Sequence, residues 1–208
     1  MLKRVIIFAI TLTLSGGCTL FQKNISKPVT IKFANLFFAA AIYSPGQYAK
    51  YVNEYTSQDY TDAFLSTFSS EASSTKNVTY DNNTIAPDFI LTVKSIKISE
   101  TTFTEKINDA KSPNNGQEVT LSSVSCSADV EVYDVKHDKL LRHCYANRNK
   151  SEKISNNRDL GDLVTGGNKS HTKYHTKLMR SNIAKDFAGD LGRRIFVHLT
   201  KRIAKAIK

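Results

Sequence analysis

Five histidines and three cysteines are scattered over the 208 residues, and few stand where chemistry needs them. His171 and His175 are four apart, a spacing that sets two imidazoles on one helical face for a metal ion. No acid or cysteine beside them completes a ligand set, and Gly166-Gly167 upstream disfavours a helix, so both read as loop histidines. Gly166-Gly167-Asn168-Lys169-Ser170 has the residue types that end a phosphate-binding loop. That cradle needs Gly, Lys and Ser/Thr contiguous after a strand, and Asn168 interrupts them. His143 and Cys144 are neighbours, but adjacent strand residues point to opposite faces, which separates them as a nucleophile pair. His137 falls in a turn, and His198 has no evident partner. No serine sits in a nucleophile-elbow pattern, and no pair of carboxylates is set apart for acid–base work. The expectation is a protein that is not an enzyme and holds no metal or other cofactor. Basic residues are better binding candidates. Lys169, Lys173, Lys177 and Arg180 gather in one polar stretch, and Arg193-Arg194 and Lys201-Arg202 follow. They suit phosphate-bearing glycolipid or an acidic partner, or else form a solvated face.

Among the cysteines, Cys18 has a distinctive setting. Lys3 and Arg4 form a basic head, Val5 to Leu14 is an apolar or hydroxyl run, and Leu14-Ser15-Gly16-Gly17 leads to Cys18 through small residues. The run is about half the ~20 apolar residues of a membrane-spanning helix and reads as an export signal that is removed. The segment resembles the lipobox of bacterial lipoproteins, with Leu14 one place earlier than is usual and Ser15 in its stead. That resemblance implies a diacylglyceryl group on Cys18, cleavage just before it, and acylation of the new N-terminus. Two or three acyl chains anchor a protein firmly, at ~0.8 kcal/mol per buried CH₂. In the same family Asp after the cysteine often retains the protein in the inner membrane, so Thr19 implies the outer membrane, with the body most readily placed in the periplasm.

Losing residues 1–17 removes Lys3 and Arg4 and lowers the net charge from +10 to +8. A basic chain often binds nucleic acid, but an exported protein seldom meets any. Anionic lipid, lipopolysaccharide phosphates or an acidic protein are better counterparts, beside the plain reading of a solvated basic surface. In that oxidising compartment Cys126 and Cys144 must be considered as a disulfide. With Asp134 facing Lys139 across a hairpin, Cys144 lies opposite Asp129 and Cys126 opposite Asn147, about three residues out of register. This argues against a bond unless a bulge intervenes.

The elements that position these residues are legible from their periods. Residues 18–28 form a polar tether after the 1–17 signal, and 29–208 a single domain. Val29 to Phe38 alternates as a first strand. Tyr43, Tyr48, Tyr51 and Tyr55 surround a Ser44-Pro45-Gly46 turn signal, as either a binding surface or a loop packed by its own rings. Tyr60, Phe64, Phe68 and Ala72 recur every fourth residue and predict a helix over 57–73, with Ser57 as N-cap and Asp59 and Asp62 near its positive end. Strands follow at 77–80, 89–107, 118–133 and 139–154, with turns at 112–116 and 136–138. In the second of these Ile90, Thr92, Lys94, Ile96 and Ile98 share one face. Residues 155–180 are a long polar connection. Ile183, Phe187, Leu191, Ile195, Leu199 and Ile203 mark a final helix from near Ser181. The expected fold is a two-layer α+β domain, a mainly antiparallel sheet with two helices packed on one face.

This layout is similar to that of small outer-membrane lipoproteins that assist envelope assembly. One such family is the lipopolysaccharide-assembly lipoprotein LptE, a helix-on-sheet domain supporting a β-barrel translocon. The other is the group related to the N-terminal domain of the curli secretion lipoprotein CsgG, which shares Ala86-Pro87-Asp88-Phe89-Ile90-Leu91 and Val132-Tyr133-Asp134-Val135-Lys136 as motif types. The resemblance implies a lipid-anchored adaptor that binds a β-barrel protein or anionic glycolipid, or alternatively a self-associating structural or secretion-related lipoprotein. It carries no site residues with it.

Overall fold

The structure, a computed structural model, describes residues 25–35, 41–44, 50–108, 110–111, 115–153 and 182–207. Among them are seven strands and two helices in the order β1 (Val29–Phe33), β2 (Ala41–Tyr43), α1 (Ser57–Ser73), β3 (Val78–Tyr80), β4 (Phe89–Lys106), β5 (Glu118–Asp134), β6 (Lys139–Leu140), β7 (Cys144–Lys153) and α2 (Ile183–Ala206). The strands form one sheet in the order β3-β1-β4-β5, with β6 and β7 both paired to β5, and with β2 on β4. Both helices bury their apolar stripes against one face, giving the expected α+β class.

The sheet is mainly antiparallel, as expected, and mixed through one parallel edge. β1 runs parallel to β3 and β4, and β2 parallel to β4, while β4, β5, β6 and β7 make an antiparallel meander. Asp88, one residue before β4, pins this parallel edge: its carboxylate accepts the Thr30 N–H at 2.7 Å and its own N–H donates to Thr30 O at 2.8 Å. The Pro87-Asp88 motif thus has a local structural task.

Helix α1 matches the expected span, but its cap lies one residue earlier. Thr56 accepts the Asp59 N–H while Asp59 accepts the Thr56 N–H, a capping box that Ser57 cannot make from inside the helix. Tyr60, Phe64, Phe68 and Ala72 are buried as their spacing predicts. Phe68 lies edge-on to Phe33, Tyr80 and Phe196, at centroid distances of 5.0, 5.5 and 5.3 Å, so one ring ties β1, β3 and α2 together.

Helix α2 begins at Ile183, two residues after the expected start, and runs parallel to α1: Lys185 reaches Asp59, Gly189 lies against Ala63 and Thr67, and Gly192 against Phe64 and Phe68. A Cβ on Gly192 would stand 2.2 Å from the Phe64 carbonyl oxygen, so only glycine permits this approach.

Three strand details depart from the sequence reading. β1 stops at Phe33; Ala34 and Asn35 leave the strand, and residues 36–40 lie outside the described set. In β4 an irregularity between Val93 and Ser95 makes Lys94 an extra residue, which switches the faces. Phe89 and Leu91 therefore share the helix-covered side with Ile96, Ile98 and Glu100, whereas Ile90 and Thr92 face away. In the last hairpin Asp134 does face Lys139, but the irregular residues 141–143 shift the register by one, so Cys126 pairs with Arg148 and Cys144 with Val130. The cysteines are both buried and free, four residues apart in register. The expectation of no bond holds, although the register behind it was one residue out.

Candidate functional site

With both helices on one side, the other face of β4–β5–β7 carries the polar half of each alternation. Register sets its side chains in rows: Lys97, Ser127 and Asn147; then Ser99, Ser125 and Asn149. Ser99 and Ser125 hydroxyls meet at 2.7 Å, and Asn147 and Asn149 are exposed. Tyr145, 54% exposed, stands beside these rows opposite Asp129. Short hydroxyl and amide groups offer adaptable hydrogen bonds, and a tyrosine adds contact area at low entropic cost, the composition of many recognition surfaces.

One end of this face is charged. His143 Nδ1 lies 3.0 Å from Asp129 Oδ1 and its Nε2 3.3 Å from Glu131 Oε1, while Lys94 reaches Glu131 at 3.1 Å. The irregular residues before β7 turn His143 to the polar face, as Cys144 turns inward to the helices. No group of His, Cys, Asp and Glu suited to a metal ion occurs among the described residues.

Below the sheet, at the end where β1 begins, is a cleft of about 320 Å³ lined by residues that include Lys27, Asp88, Asp134, Lys136, His137 and Ile207. Asp134 is 3% exposed; its carboxylate accepts the His137 N–H at 3.2 Å and meets His137 Nδ1 at 2.8 Å. Asp138 adopts φ +48°, a turn conformation that Asp tolerates. The Val-x-Asp-Val-x motif therefore closes a hairpin, and Asp134 is its turn-forming acid. Both motif aspartates, Asp88 and Asp134, border the cleft.

Cys18, Lys169, Lys173, Lys177 and Arg180 lie outside the described residues, as do His171, His175 and the Gly166–Ser170 segment. The other basic candidates are placed. Arg193 and Arg194 both bond Asp190, whose Oδ2 also lies 2.5 Å from Arg148 Nε. That third contact is an ion pair without hydrogen-bond geometry, since Arg148 Nε has no hydrogen-bond partner among the described residues. Burial works to raise the Asp190 pKa, but the bonds from Arg194 and Arg193 and the Arg148 charge overcome it and hold the carboxyl below its ordinary value. Burial pushes the Cys144 thiol up to about 11, partly offset by the Arg202 guanidinium, and pushes Cys126 to about 12. On α2, burial and then the Lys201, Arg202 and Arg194 charges hold His198 below the usual histidine value.

The described part of the tyrosine segment is anchored on the body at its C-terminal end. Tyr51 is buried and Tyr55 meets Tyr60 edge-on at 5.9 Å; Tyr43 is exposed, and Tyr48 is outside the described set. Beneath this loop lies Glu100, fully buried, which sequence reasoning missed. Its carboxylate accepts the Val52 N–H at 2.9 Å and the Ser122 hydroxyl at 2.8 Å, while Tyr60 donates to Val52 O at 2.6 Å. The available signal was an acid continuing the Ile96, Ile98 alternation.

No protein-family model and no curated protein matches this chain. Solved structures similar to it include a protein named as a neuraminyllactose-binding hemagglutinin homologue from Helicobacter pylori, at 12% identity and TM-score 0.43, covering 86% of this chain and 84% of that one. An uncharacterized lipoprotein B from Nitrosomonas europaea is similar at 10% identity and TM-score 0.42, covering 86% and 89% of the two chains. Rare lipoprotein B from Shewanella oneidensis is similar at 7% identity and TM-score 0.39, covering 85% and 99%. No residue role transfers at such distances.

Proposed function

We propose that the protein is a lipid-anchored, non-enzymatic accessory protein of the bacterial cell envelope, held in the outer membrane through Cys18 with its body in the periplasm. It binds an outer-membrane protein or an anionic glycolipid during assembly or transport. The observation that carries the binding role is the one-sided sheet: the helices cover one face, and the other presents ordered Ser and Asn rows beside an exposed Tyr145. The anchor rests on the basic head, apolar run and small residues before Cys18.

A photoreactive amino acid at Asn147, with a second chain carrying it at the exposed His198 of α2, tests this in living cells. An adduct to a β-barrel protein or to glycolipid from position 147 and not from 198 supports the reading. Adducts only to further copies of the chain replace it with a self-associating lipoprotein. Adducts from 198 alone move the binding surface to the helix layer.

A further inference from the structure

The end of the domain from which the tether emerges is built differently from the rest of the surface. Ile25 is 3% exposed in the core, and its carbonyl accepts the Asn77 side-chain amide at 2.8 Å, so the chain is fixed to the body there. Six residues lie between Cys18 and Ile25, seven Cα steps with a reach of at most about 25 Å. Helix α2, with 24 residues, extends ~36 Å from this end. The body therefore cannot stand upright on its far end on the bilayer that holds Cys18.

The near end has the charge and apolar tips that such contact requires. Lys27, Lys76, Lys136, Lys139 and Lys205 are all exposed there. Lys76 and Lys205 follow or close the carbonyl ends of α1 and α2, which the parallel helix pair places together. Asp88, Asp134, Asp138 and, in the last turn of α1, Glu71 also lie at this end; Asp88 accepts the Thr30 N–H, Asp134 meets His137 and Asp138 the Tyr133 hydroxyl, and the five lysines outnumber these four acids. Val135 and Leu140 flank the Lys136–Lys139 turn and are 39% and 52% exposed. Apolar tips bracketed by lysines suit the headgroup boundary, where the amines meet lipid phosphates and the side chains enter the acyl edge.

We propose that this end, centred on the 135–140 hairpin turn, docks on the anionic phospholipid surface of the bilayer in which Cys18 is anchored. Docking deepens the envelope reading above and rests on its anchor. It would stand the body on the membrane and leave the polar sheet face open sideways to a partner.

The chain has no tryptophan, so one introduced at a time reports its own depth. The experiment uses full chain made in a bacterium and reconstituted in phosphatidylethanolamine–phosphatidylglycerol vesicles with brominated acyl chains, with intact mass measured on the same sample. Leu140→Trp is expected to be quenched, and Thr104→Trp, exposed on the far part of β4, is not. Adding Lys136→Gln and Lys139→Gln is expected to lower the docked fraction about fivefold or more, as is exchange for zwitterionic phosphatidylcholine, which has no net charge. An acylated chain with Leu140→Trp unquenched, or with both positions quenched alike, overturns the docking and leaves the anchor standing. A mass without acyl groups overturns the anchor, and the docking with it.

Discussion

Glu100 shows how a single buried polar side chain fixes a loop. With no solvent to replace it, removing its carboxylate strands the Val52 N–H and the Ser122 hydroxyl. Glu100→Ala is expected to cost about 2–4 kcal/mol, read as a lower urea midpoint at unchanged slope, whereas Glu100→Gln, which keeps an acceptor, costs less. Asp190 gives a pH signature. Its folded pKa lies below the unfolded value, so its contribution is present above the unfolded pKa and is lost as pH falls through the folded one. The stability gap between the native chain and Asp190→Asn is therefore expected at neutral pH and to close below about pH 4, measured by denaturation across an acid series. At this scale the sequence was legible where a period was intact: Tyr60, Phe64, Phe68 and Ala72 are core. It was not legible at Glu100, because a carboxylate on an apolar alternation reads as an interruption until its two donors, 48 and 22 residues away, are known.

The helices and the long meander strands followed from local pattern, and the pairing of short strands did not. β1 has five residues, and β2 and β3 three each; their parallel partners are chosen by distant contacts such as Asp88 on Thr30. A one-residue bulge at Lys94 put Ile90 and Thr92 on the face opposite Ile96 and Ile98, since every slip of one moves a side chain across the sheet. The helix pair offers the clearest test at this scale. Alanine at Gly192 gains about 1 kcal/mol in helix propensity but forces its Cβ on the Phe64 backbone, an overpacking cost of about 1–3 kcal/mol. Gly192→Ala is expected to lower Tm by several degrees. Gly189→Ala meets the Thr67 hydroxyl at 3.1 Å, a side-chain contact with more room to adjust, and is expected to change Tm much less. Equal losses at both positions would contradict the close approach at Gly192.

Across the whole molecule, geometry decides the state of the two cysteines, whatever the compartment. An oxidising environment favours disulfides, yet four residues of register hold Cys126 and Cys144 about 13 Å apart along the strands, and burial keeps both thiols protonated. The folded chain is expected to leave both unreactive toward a thiol reagent at neutral pH, with both reacting after denaturation; fast reaction in the folded state would contradict their burial. Fold class was legible because two amphipathic helices and a strand meander leave few ways to cover one sheet face. The polar face and the basic tether end were not, since they join residues far apart in sequence. Both gain their functional meaning from Cys18, so the most direct measurement is the intact mass and N-terminal sequence of the protein extracted from bacterial membranes. The expected result is a chain that begins at Cys18 and carries a diacylglyceryl group with an acylated amine. A chain that still contains residues 1–17, or that begins elsewhere without lipid, would contradict an anchored envelope protein.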